Sequence, residues 1–336
     1  MRQELSPERI QELGAAFRAS KALLSAVELG VFSALAGGPL DGDALAAQTG
    51  IHERAARDFF DALVALGLLE RADGRYANSP ETDFYLDRSK PSYIGGMAEM
   101  QSVSGYRVWA SLTGALRTGE PQTDAKGDFR RLYEDPDRAR RYLQAMTAGS
   151  RASAQAIAAR FPWGEHQSVL DVGTAQGCLA VQVALTHDHV RGGGFDLPAA
   201  QPIFEEYVAS FGLSHRLRFF PGDFLADPLP PADVVVLGNV LCDLDLPAKR
   251  ALLAKAHAAV PVEGALIVYE SIIDNERRNN ASALLTSLAM VVQKAGAFGF
   301  TGAECRAWMH EAGFAETWVE PLDGPRSMVV GHKTSA

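Results

Sequence analysis

Cysteine is scarce in this sequence. Only three cysteines occur in 336 residues, Cys178, Cys242 and Cys305, and no two of them form a Cys-x-x-Cys pair. An odd number of widely spaced cysteines supports neither a disulfide framework nor a structural zinc site. The sequence therefore predicts a protein of a reducing compartment, the cytoplasm.

Long apolar runs and runs of positive charge are also missing. No stretch approaches the length of a membrane span, and the N-terminal Met1-Arg2-Gln3-Glu4 lacks the apolar core of a signal peptide. The net charge is −9 without a Lys/Arg cluster, which argues against nucleic acid or membrane as the main partner. A hydrophobic fraction of 47% is typical of a globular protein, and the length allows two domains.

One glycine-rich stretch carries the clearest chemical signal. Residues 168–172 form a short apolar strand, the turn Gly173-Thr174-Ala175-Gln176-Gly177 follows, and a helix begins at Cys178. Such a turn brings free backbone N–H groups close to a ligand. About twenty residues later a second strand ends in Asp196, a position from which a carboxylate binds ribose hydroxyls. The pair predicts a nucleoside-containing ligand.

Strands and helices alternate from Ser168 onward, which is typical of an α/β fold with a doubly wound, mainly parallel sheet. Seven strands are predicted, at residues 168–172, 191–195, 217–221, 234–237, 265–269, 316–321 and 327–332. Ligands of such sheets bind beyond the carboxyl ends of the strands. This rule places five residues on one rim: Gly173, Asp196, Asp223, Cys242 and Glu270.

The N-terminal part has a winged-helix pattern. Apolar residues at helical spacing over residues 6–36 occupy more than one face, which predicts helices buried on several sides. A short helix at 44–48, a longer one at 52–66 and a hairpin around Asp73-Gly74 follow. The longer helix has no basic stripe, so the pattern favours a packing or dimerisation module over a DNA-binding one.

A mostly helical region, residues 91–161, joins the two parts and is rich in methionine and aromatic side chains. Each of these alone is more typical of a simple core than of a substrate pocket, but together they are candidates for an apolar substrate wall. The candidate substrate residues are Met97, Met100, Tyr106, Trp109 and Met146, with Met290 from a later helix predicted at residues 283–296.

The motifs on the rim resemble those of class I S-adenosylmethionine-dependent methyltransferases. More narrowly, the whole chain is similar to small-molecule O-methyltransferases that carry an N-terminal winged-helix dimerisation domain. The motifs that carry the resemblance are Asp171-Val-Gly-Thr-Ala-Gln-Gly177, Phe195-Asp-Leu-Pro198, Pro221-Gly-Asp-Phe224, Leu241-Cys-Asp243 and Leu266-Ile-Val-Tyr-Glu270. The resemblance implies a Rossmann-like catalytic domain at 162–336, a linker at 91–161, a dimerisation domain at 1–90 and a homodimer.

The resemblance also implies roles for residues that would bind S-adenosylmethionine. Gly173 and Gly177 would let the backbone approach its amino-acid part, beside Asp171, and Asp196 would bind the ribose. Around the adenine the resemblance implies Leu197, Gly222, Asp223 and Phe224, and Gly238 completes the predicted cofactor set.

The departures from the family bear on the mechanism. The family usually places a catalytic His in a Leu-His-Asp-Trp sequence, and here the matching residues are Leu241-Cys242-Asp243-Leu244. A second family carboxylate corresponds to Gly299, whereas the carboxylate at the end of the fifth strand is Glu270. Cys242 is either a catalytic thiol, with Asp243 and Glu270 as its catalytic neighbours, or a small filler that leaves room for substrate.

The sequence thus predicts an S-adenosylmethionine-dependent methyltransferase that acts on a small, aromatic, secondary-metabolite-like substrate. O-methylation is the first expectation, with C- or N-methylation as alternatives, and transfer would be driven by proximity because the usual His is Cys242. The product form of the cofactor would be S-adenosylhomocysteine, and no metal is expected. One rival is an enzyme of this fold that uses the cofactor without methyl transfer, and another is a winged-helix regulator.

Overall fold

The computed structural model describes residues 5–123 and 129–335, and the chain divides into two compact units at the Tyr106–Arg107 bond. The domain limits predicted at residues 90 and 161 stay predictions.

The first unit consists of short helices and a small antiparallel sheet. Its helices are α1 (Glu8–Ala15), α2 (Phe17–Glu28), α3 (Val31–Ala34), α4 (Gly42–Thr49), α5 (Glu53–Ala65), α6 (Pro80–Leu86) and α7 (Gly95–Met100). Its strands β1 (Leu40–Asp41), β2 (Leu69–Ala72) and β3 (Arg75–Asn78) pair in the order β1-β3-β2. A π-helical turn, Gln101–Gly105, follows α7.

The local signals of the winged-helix pattern are where the sequence predicts them. The Asp41 side chain accepts a hydrogen bond from the backbone N–H of Ala44 and so caps α4, which ends at Gly50 with φ +68°. The hairpin turn has φ +50° at Asp73 and +74° at Gly74, as a type I′ turn requires. The fully buried Phe60 of α5 lies in the core beneath this hairpin.

The prediction that the first helices are buried on several sides is wrong for α1. Ile10 and Leu13 are each 77% exposed, and none of the residues of α1 is buried. By contrast, Val27 and Val31 on the next two helices belong to the core of the unit. In the single chain the apolar face of α1 is therefore open to solvent, although its spacing is that of a buried helix.

The second unit contains the large sheet. Its helices are α8 (which starts at the unit boundary, Tyr106–Ala110), α9 (Leu112–Thr118), α10 (Pro136–Arg160), α11 (Cys178–Thr186), α12 (Gln201–Ser210), α13 (Leu246–Ala259), α14 (Ala281–Gln293) and α15 (Gly302–Ala312). Its strands are β4 (Ser168–Val172), β5 (Arg191–Asp196), β6 (Leu217–Pro221), β7 (Val234–Gly238), β8 (Ala265–Glu270), β9 (Glu316–Pro321) and β10 (Ser327–His332). Short 3₁₀ turns lie at Phe129–Glu134, Trp163–Glu165, Pro198–Ala200 and Leu241–Asp243.

The seven strands are ordered β6-β5-β4-β7-β8-β10-β9. The five strands from β6 to β8 are parallel, and β10 is antiparallel to both β8 and β9. The sheet is covered by a hydrophobic core on each side, and all six residues of β8 are buried. The α/β, mainly parallel, doubly wound architecture is confirmed.

This topology brings the carboxyl ends of β4, β5, β6, β7 and β8 to one edge of the sheet. None of the helices in the described ranges combines the length and the apolar character needed to cross a membrane.

Candidate active site

A cavity of about 440 Å³ lies at this edge, within the range of small-molecule sites. Residues that follow β4, β5, β6 and β7 line it, together with residues from α10 and from the end of α14. All of its lining residues belong to the second unit.

The turn after β4 forms one wall, and its backbone is held in unusual conformations. Gly173 has φ +71°, and its N–H donates to the carbonyl of Phe195 on the neighbouring strand at 2.8 Å. Ala175 has φ +53°, a left-handed conformation that glycine adopts more easily. Gly177 does not line the cavity: a Cβ there would lie 2.5 Å from the ring of Phe204, so this glycine allows α11 to pack closely.

Two carboxyl groups lie beside this turn, of which Asp171 is buried and Asp196 is half-buried. The two oxygens of Asp196 accept from the backbone N–H groups of Ala175 and Leu197 at 2.9 and 2.8 Å. Asp171 accepts from the Thr174 hydroxyl at 2.8 Å. Burial raises the pKa of Asp171 to about 7 and that of Asp196 to about 6, so this wall binds protons unless a cation compensates its charge.

The loop after β6 contributes an exposed ion pair and an apolar surface. Asp223 accepts from the Arg130 guanidinium at 2.8 Å and from the backbone N–H of Leu225 at 2.9 Å. Phe224 lines the cavity, as does Leu197 from the loop after β5. Gly222 lies behind them, where a Cβ would be 2.4 Å from the ring of Phe195.

The segment after β7 carries the residues that replace the family's catalytic motif. Gly238 and Asn239 line the cavity, and Asn239 has φ +53°. Glu270, at the end of β8, accepts from the backbone N–H of Cys242 with both oxygens, at 3.1 and 3.2 Å. Neither Cys242 nor Glu270 is among the residues that line the cavity.

The thiol of Cys242 is held in its protonated form. Its pKa is raised well above the ordinary value by burial, then by the carboxylates of Glu270 and Asp243. Burial also raises the pKa of Glu270, to about 7. No histidine of the described ranges lines the cavity.

An ion pair stands next to this motif on the cavity wall. Asp243 and Lys294 are joined at 2.8 Å, and their side chains are 20% and 14% exposed. Lys294 follows the last residue of α14, and its own backbone N–H donates to Met290 at 2.8 Å. Tyr142 of α10 is another wall residue, and burial, then Asp243, raises the pKa of its hydroxyl.

The structure brings together most of the predicted cofactor residues, one predicted catalytic residue, Asp243, and one predicted substrate residue, Met146. Asp171, Gly173, Asp196, Leu197, Asp223, Phe224, Gly238, Asp243 and Met146 all line the cavity. Trp109 and Met290 belong to the same unit but not to this lining. Met97, Met100 and Tyr106 lie in the first unit, and their role as substrate residues stays a prediction.

The wall residues that escaped the sequence analysis include three polar ones, Arg130, Asn239 and Lys294. Asn239 had a usable signal, since it lies two residues beyond the rim strand predicted at 234–237. Lys294 had no such signal, because the sequence pattern placed it inside a helix that was predicted to end at Gly296. In the structure α14 ends at Gln293, one residue before Lys294. Arg130 lies in a 3₁₀ turn that no sequence pattern marks as part of a site.

The fold, and the residues at the carboxyl ends of its parallel strands, are those of the class I S-adenosylmethionine-dependent methyltransferases. Residues 109–315 match the O-methyltransferase domain family, and residues 11–88 match the O-methyltransferase dimerisation domain. The chain therefore belongs to the S-adenosylmethionine-dependent O-methyltransferase family.

Individual relatives cover nearly the whole chain. It is 44% identical over 328 residues to the tetracenomycin polyketide synthesis 8-O-methyl transferase TcmO of Streptomyces glaucescens, and this match covers 97% of each chain. It is 40% identical to the N,N-dimethyltransferase OxyT of Streptomyces rimosus, over 93% of this chain and 92% of that one. The crystal structure of human N-acetylserotonin methyltransferase with SAM superposes with a TM-score of 0.91 at 26% identity, covering 99% of each chain.

The cavity fits the cofactor of this family. Asp171 and Asp196 are acids with raised pKa values whose charge a cationic ligand compensates, and the left-handed turn between them brings the backbone up to the ligand. The bound cofactor supplies a methyl group activated on a sulfonium. No group of three or more potential metal ligands is found in the described residues, and the absence of a metal stays a prediction.

Proposed function

We propose that this protein methylates a hydroxyl oxygen of a small aromatic secondary metabolite that binds next to the Asp243–Lys294 pair. The observation that carries this proposal is the division of the cavity wall. Acidic residues and the glycine turn form one part, and an ion pair with a tyrosine forms another. The 44% identity to an enzyme named for tetracenomycin polyketide synthesis supports a polyketide as acceptor.

The cofactor roles follow from the contacts of the wall. Each carboxylate oxygen of Asp196 accepts one hydrogen bond, from the backbone N–H of Ala175 or of Leu197. Its remaining lone pairs can accept from the ribose hydroxyls. Asp171 compensates the ammonium group of the amino-acid part, next to Gly173. Leu197 and Phe224 enclose the adenine, and Asp223 accepts from its amino group. Gly238 leaves room for the ring of Tyr269, since a Cβ there would lie 2.3 Å from it.

Methyl transfer in this site is driven by positioning rather than by a general base. A protonated thiol cannot accept the acceptor's proton, and Cys242 is held protonated by burial and by two carboxylates. Glu270 holds the Cys242 turn in place through the backbone, which in turn positions Asp243 on the wall. Aligning donor and acceptor supplies much of the acceleration without a base.

The proposed homodimer uses the first unit. The match of residues 11–88 to a dimerisation domain and the open apolar face of α1 support it.

An N-methylating activity is the second candidate. It is favoured by the 40% identity to a relative named as an N,N-dimethyltransferase.

The test uses the full-length protein, methyl-labelled cofactor and a panel of hydroxynaphthoates, polycyclic phenols, aromatic acids and aromatic amines. Label in an ether product supports the proposal, and label only in amine products supports the second candidate. Asp196→Asn is expected to abolish cofactor binding, whereas Asp58→Asn, on the exposed face of α5, is the matched control. Turnover of any substrate with the cofactor unconsumed, or cofactor binding with no label transferred across the panel, would overturn the proposal.

A further inference from the structure

Lys294 supplies a positive charge at the part of the wall where the usual base is missing. Its ammonium group lies 2.8 Å from Asp243, directly after Cys242 in the chain, and both side chains of the pair are largely buried. The other cationic wall residue, Arg130, is 69% exposed and pairs with Asp223 after β6. A largely buried charge acts more strongly on a bound group than an exposed one, because water screens it less.

Other titratable groups near Lys294 do not replace the base. Asp243 and Cys242 come from the turn after β7, Glu270 comes from β8, and Tyr142 comes from α10. The thiol and the phenol are both kept protonated by burial and by neighbouring carboxylates. Asp243 is already paired with Lys294, and Glu270 does not line the cavity, so in this account the acceptor loses its proton to solvent before or as it binds.

We propose that Lys294 binds the acceptor as its oxyanion and so selects aromatic hydroxyls acidified by a neighbouring carbonyl group, or enols, over neutral alcohols and protonated amines. An ammonium group has three donor hydrogens, so Lys294 can hold Asp243 and the acceptor oxygen together. This inference rests on the proposed function, whose acceptor it specifies.

The step balances without a further reactant. The acceptor hydroxyl releases its proton to solvent, and an electron pair of the resulting oxyanion forms the new bond to the methyl carbon. The sulfur–carbon bond breaks with its electron pair on sulfur, which leaves a neutral thioether and a methyl ether. Lys294 is unchanged, since it stabilises the oxyanion that enters the step.

The first test measures ionisation without turnover. A hydroxynaphthoquinone or similar phenol, whose phenolate absorbs at longer wavelength than the phenol, is titrated into the protein saturated with S-adenosylhomocysteine. The wild type is expected to bind it as phenolate at pH values about 1–2 units below the phenol's free pKa. Lys294→Met is expected to lose this shift, and Lys294→Arg to keep most of it.

The second test separates this role from a structural one. With weakly acidic phenols at pH 7, kcat/KM of Lys294→Met is expected to be about 10–100-fold below that of the wild type. With acceptors that are fully ionised at this pH, the loss in kcat/KM is expected to be much smaller. In Lys294→Met the carboxylate of Asp243 loses its partner, and the double variant Lys294→Met/Asp243→Asn removes this carboxylate as well. The double variant is therefore expected to recover thermal stability but not the spectral shift. An unchanged spectrum and pH profile in Lys294→Met would overturn the inference, even if methyl transfer itself is found. A spectral shift without methyl transfer would overturn the proposed function alone.

Discussion

Both carboxylate oxygens of Glu270 accept from the backbone N–H of Cys242, at 3.1 and 3.2 Å. The acid at the end of β8 therefore holds the turn that carries Asp243, rather than touching the cavity. Glu270 therefore affects the site indirectly, through its hydrogen bonds to the backbone of Cys242.

Replacing Glu270 tests this positioning role. Glu270→Ala leaves the buried N–H of Cys242 without its acceptor, and we expect a loss of about 1–3 kcal/mol in the free energy of unfolding, measured by denaturant titration. Because Asp243 shifts with the turn, kcat is expected to fall more than cofactor affinity. Glu270→Gln keeps one acceptor oxygen and should retain most of both. Glu311→Ala, which removes an exposed ion pair with Arg250, is the control and should cost less than about 1 kcal/mol. Equal effects of the two alanine variants would contradict the assignment.

Cofactor binding should release protons near neutral pH. The pKa values of Asp171 and Asp196 are raised to about 7 and about 6 in the folded protein, so part of this pair is protonated at pH 6–6.5. A cationic ligand favours the ionised carboxylates, and affinity should therefore rise as pH increases to about 7.5 and then level off. Calorimetry in two buffers of different ionisation enthalpy measures the release, which should be clear at pH 6.5 and absent at pH 8.5. Asp171→Asn should reduce it, and equal release at both pH values would refute the prediction.

Ala175 offers a test of stored backbone strain. At φ +53° an alanine is disfavoured by roughly 1 kcal/mol relative to glycine, so Ala175→Gly is expected to stabilise the protein by about 0.5–1 kcal/mol. Thermal or chemical unfolding measures the change. The same substitution at the exposed Ala254, in the middle of α13, should instead destabilise by about 0.5–1 kcal/mol. If both variants move in the same direction, strain at Ala175 is not the cause.

Lys249 gives a prediction for alkaline pH. This lysine of α13 is fully buried, and its ammonium group donates to the carbonyls of Leu244 and Phe298 and lies 3.5 Å from the centre of the Phe298 ring. Burial lowers its pKa to about 8, against the opposing pull of Glu270, Cys242, Asp245 and Asp243. The unfolded chain binds the proton more tightly, so stability gains as pH rises from about 8 towards the unfolded value of about 10.4.

The comparison with Lys249→Met isolates this contribution, because tyrosine ionisation acts on both proteins alike. The stability of the wild type relative to the variant should increase between pH 8 and pH 10 and stay constant from pH 6 to pH 7.5. Denaturant titrations at these pH values measure the difference. A difference independent of pH would show that Lys249 is not a buried charge.

The open face of α1 predicts self-association. Ile10→Ser together with Leu13→Ser should shift the protein towards monomer in sedimentation velocity, since both side chains are exposed in the single chain. The unfolding midpoint of the monomer should barely change. Leu225→Ser, which alters an exposed apolar residue in the second unit, is the control. A variant that sediments like the wild type would exclude α1 from the interface.

The sequence was sufficient for the architecture because strands such as β8 are buried on both faces and so appear as uninterrupted apolar runs. It also located Asp196, since the end of a rim strand is fixed by the topology. It could not show that the Glu270 carboxylate binds the backbone of Cys242 instead of lining the cavity, because the direction of a rim side chain depends on local turns. Lys294 reached the wall only because α14 ends three residues before its predicted end, a distance that pattern analysis does not resolve.

The hairpin of β9 and β10 has a consequence for the order of assembly. The two strands are joined by the short connection at residues 322–326 and pair along their whole length, so they can meet before either reaches β8. In the finished sheet Ser327 of β10 is the partner of Glu270, and docking of this hairpin fixes the end of β8 from one side. Glu270 therefore acquires its final surroundings only when this hairpin is docked on β8, and the five parallel strands alone do not complete them.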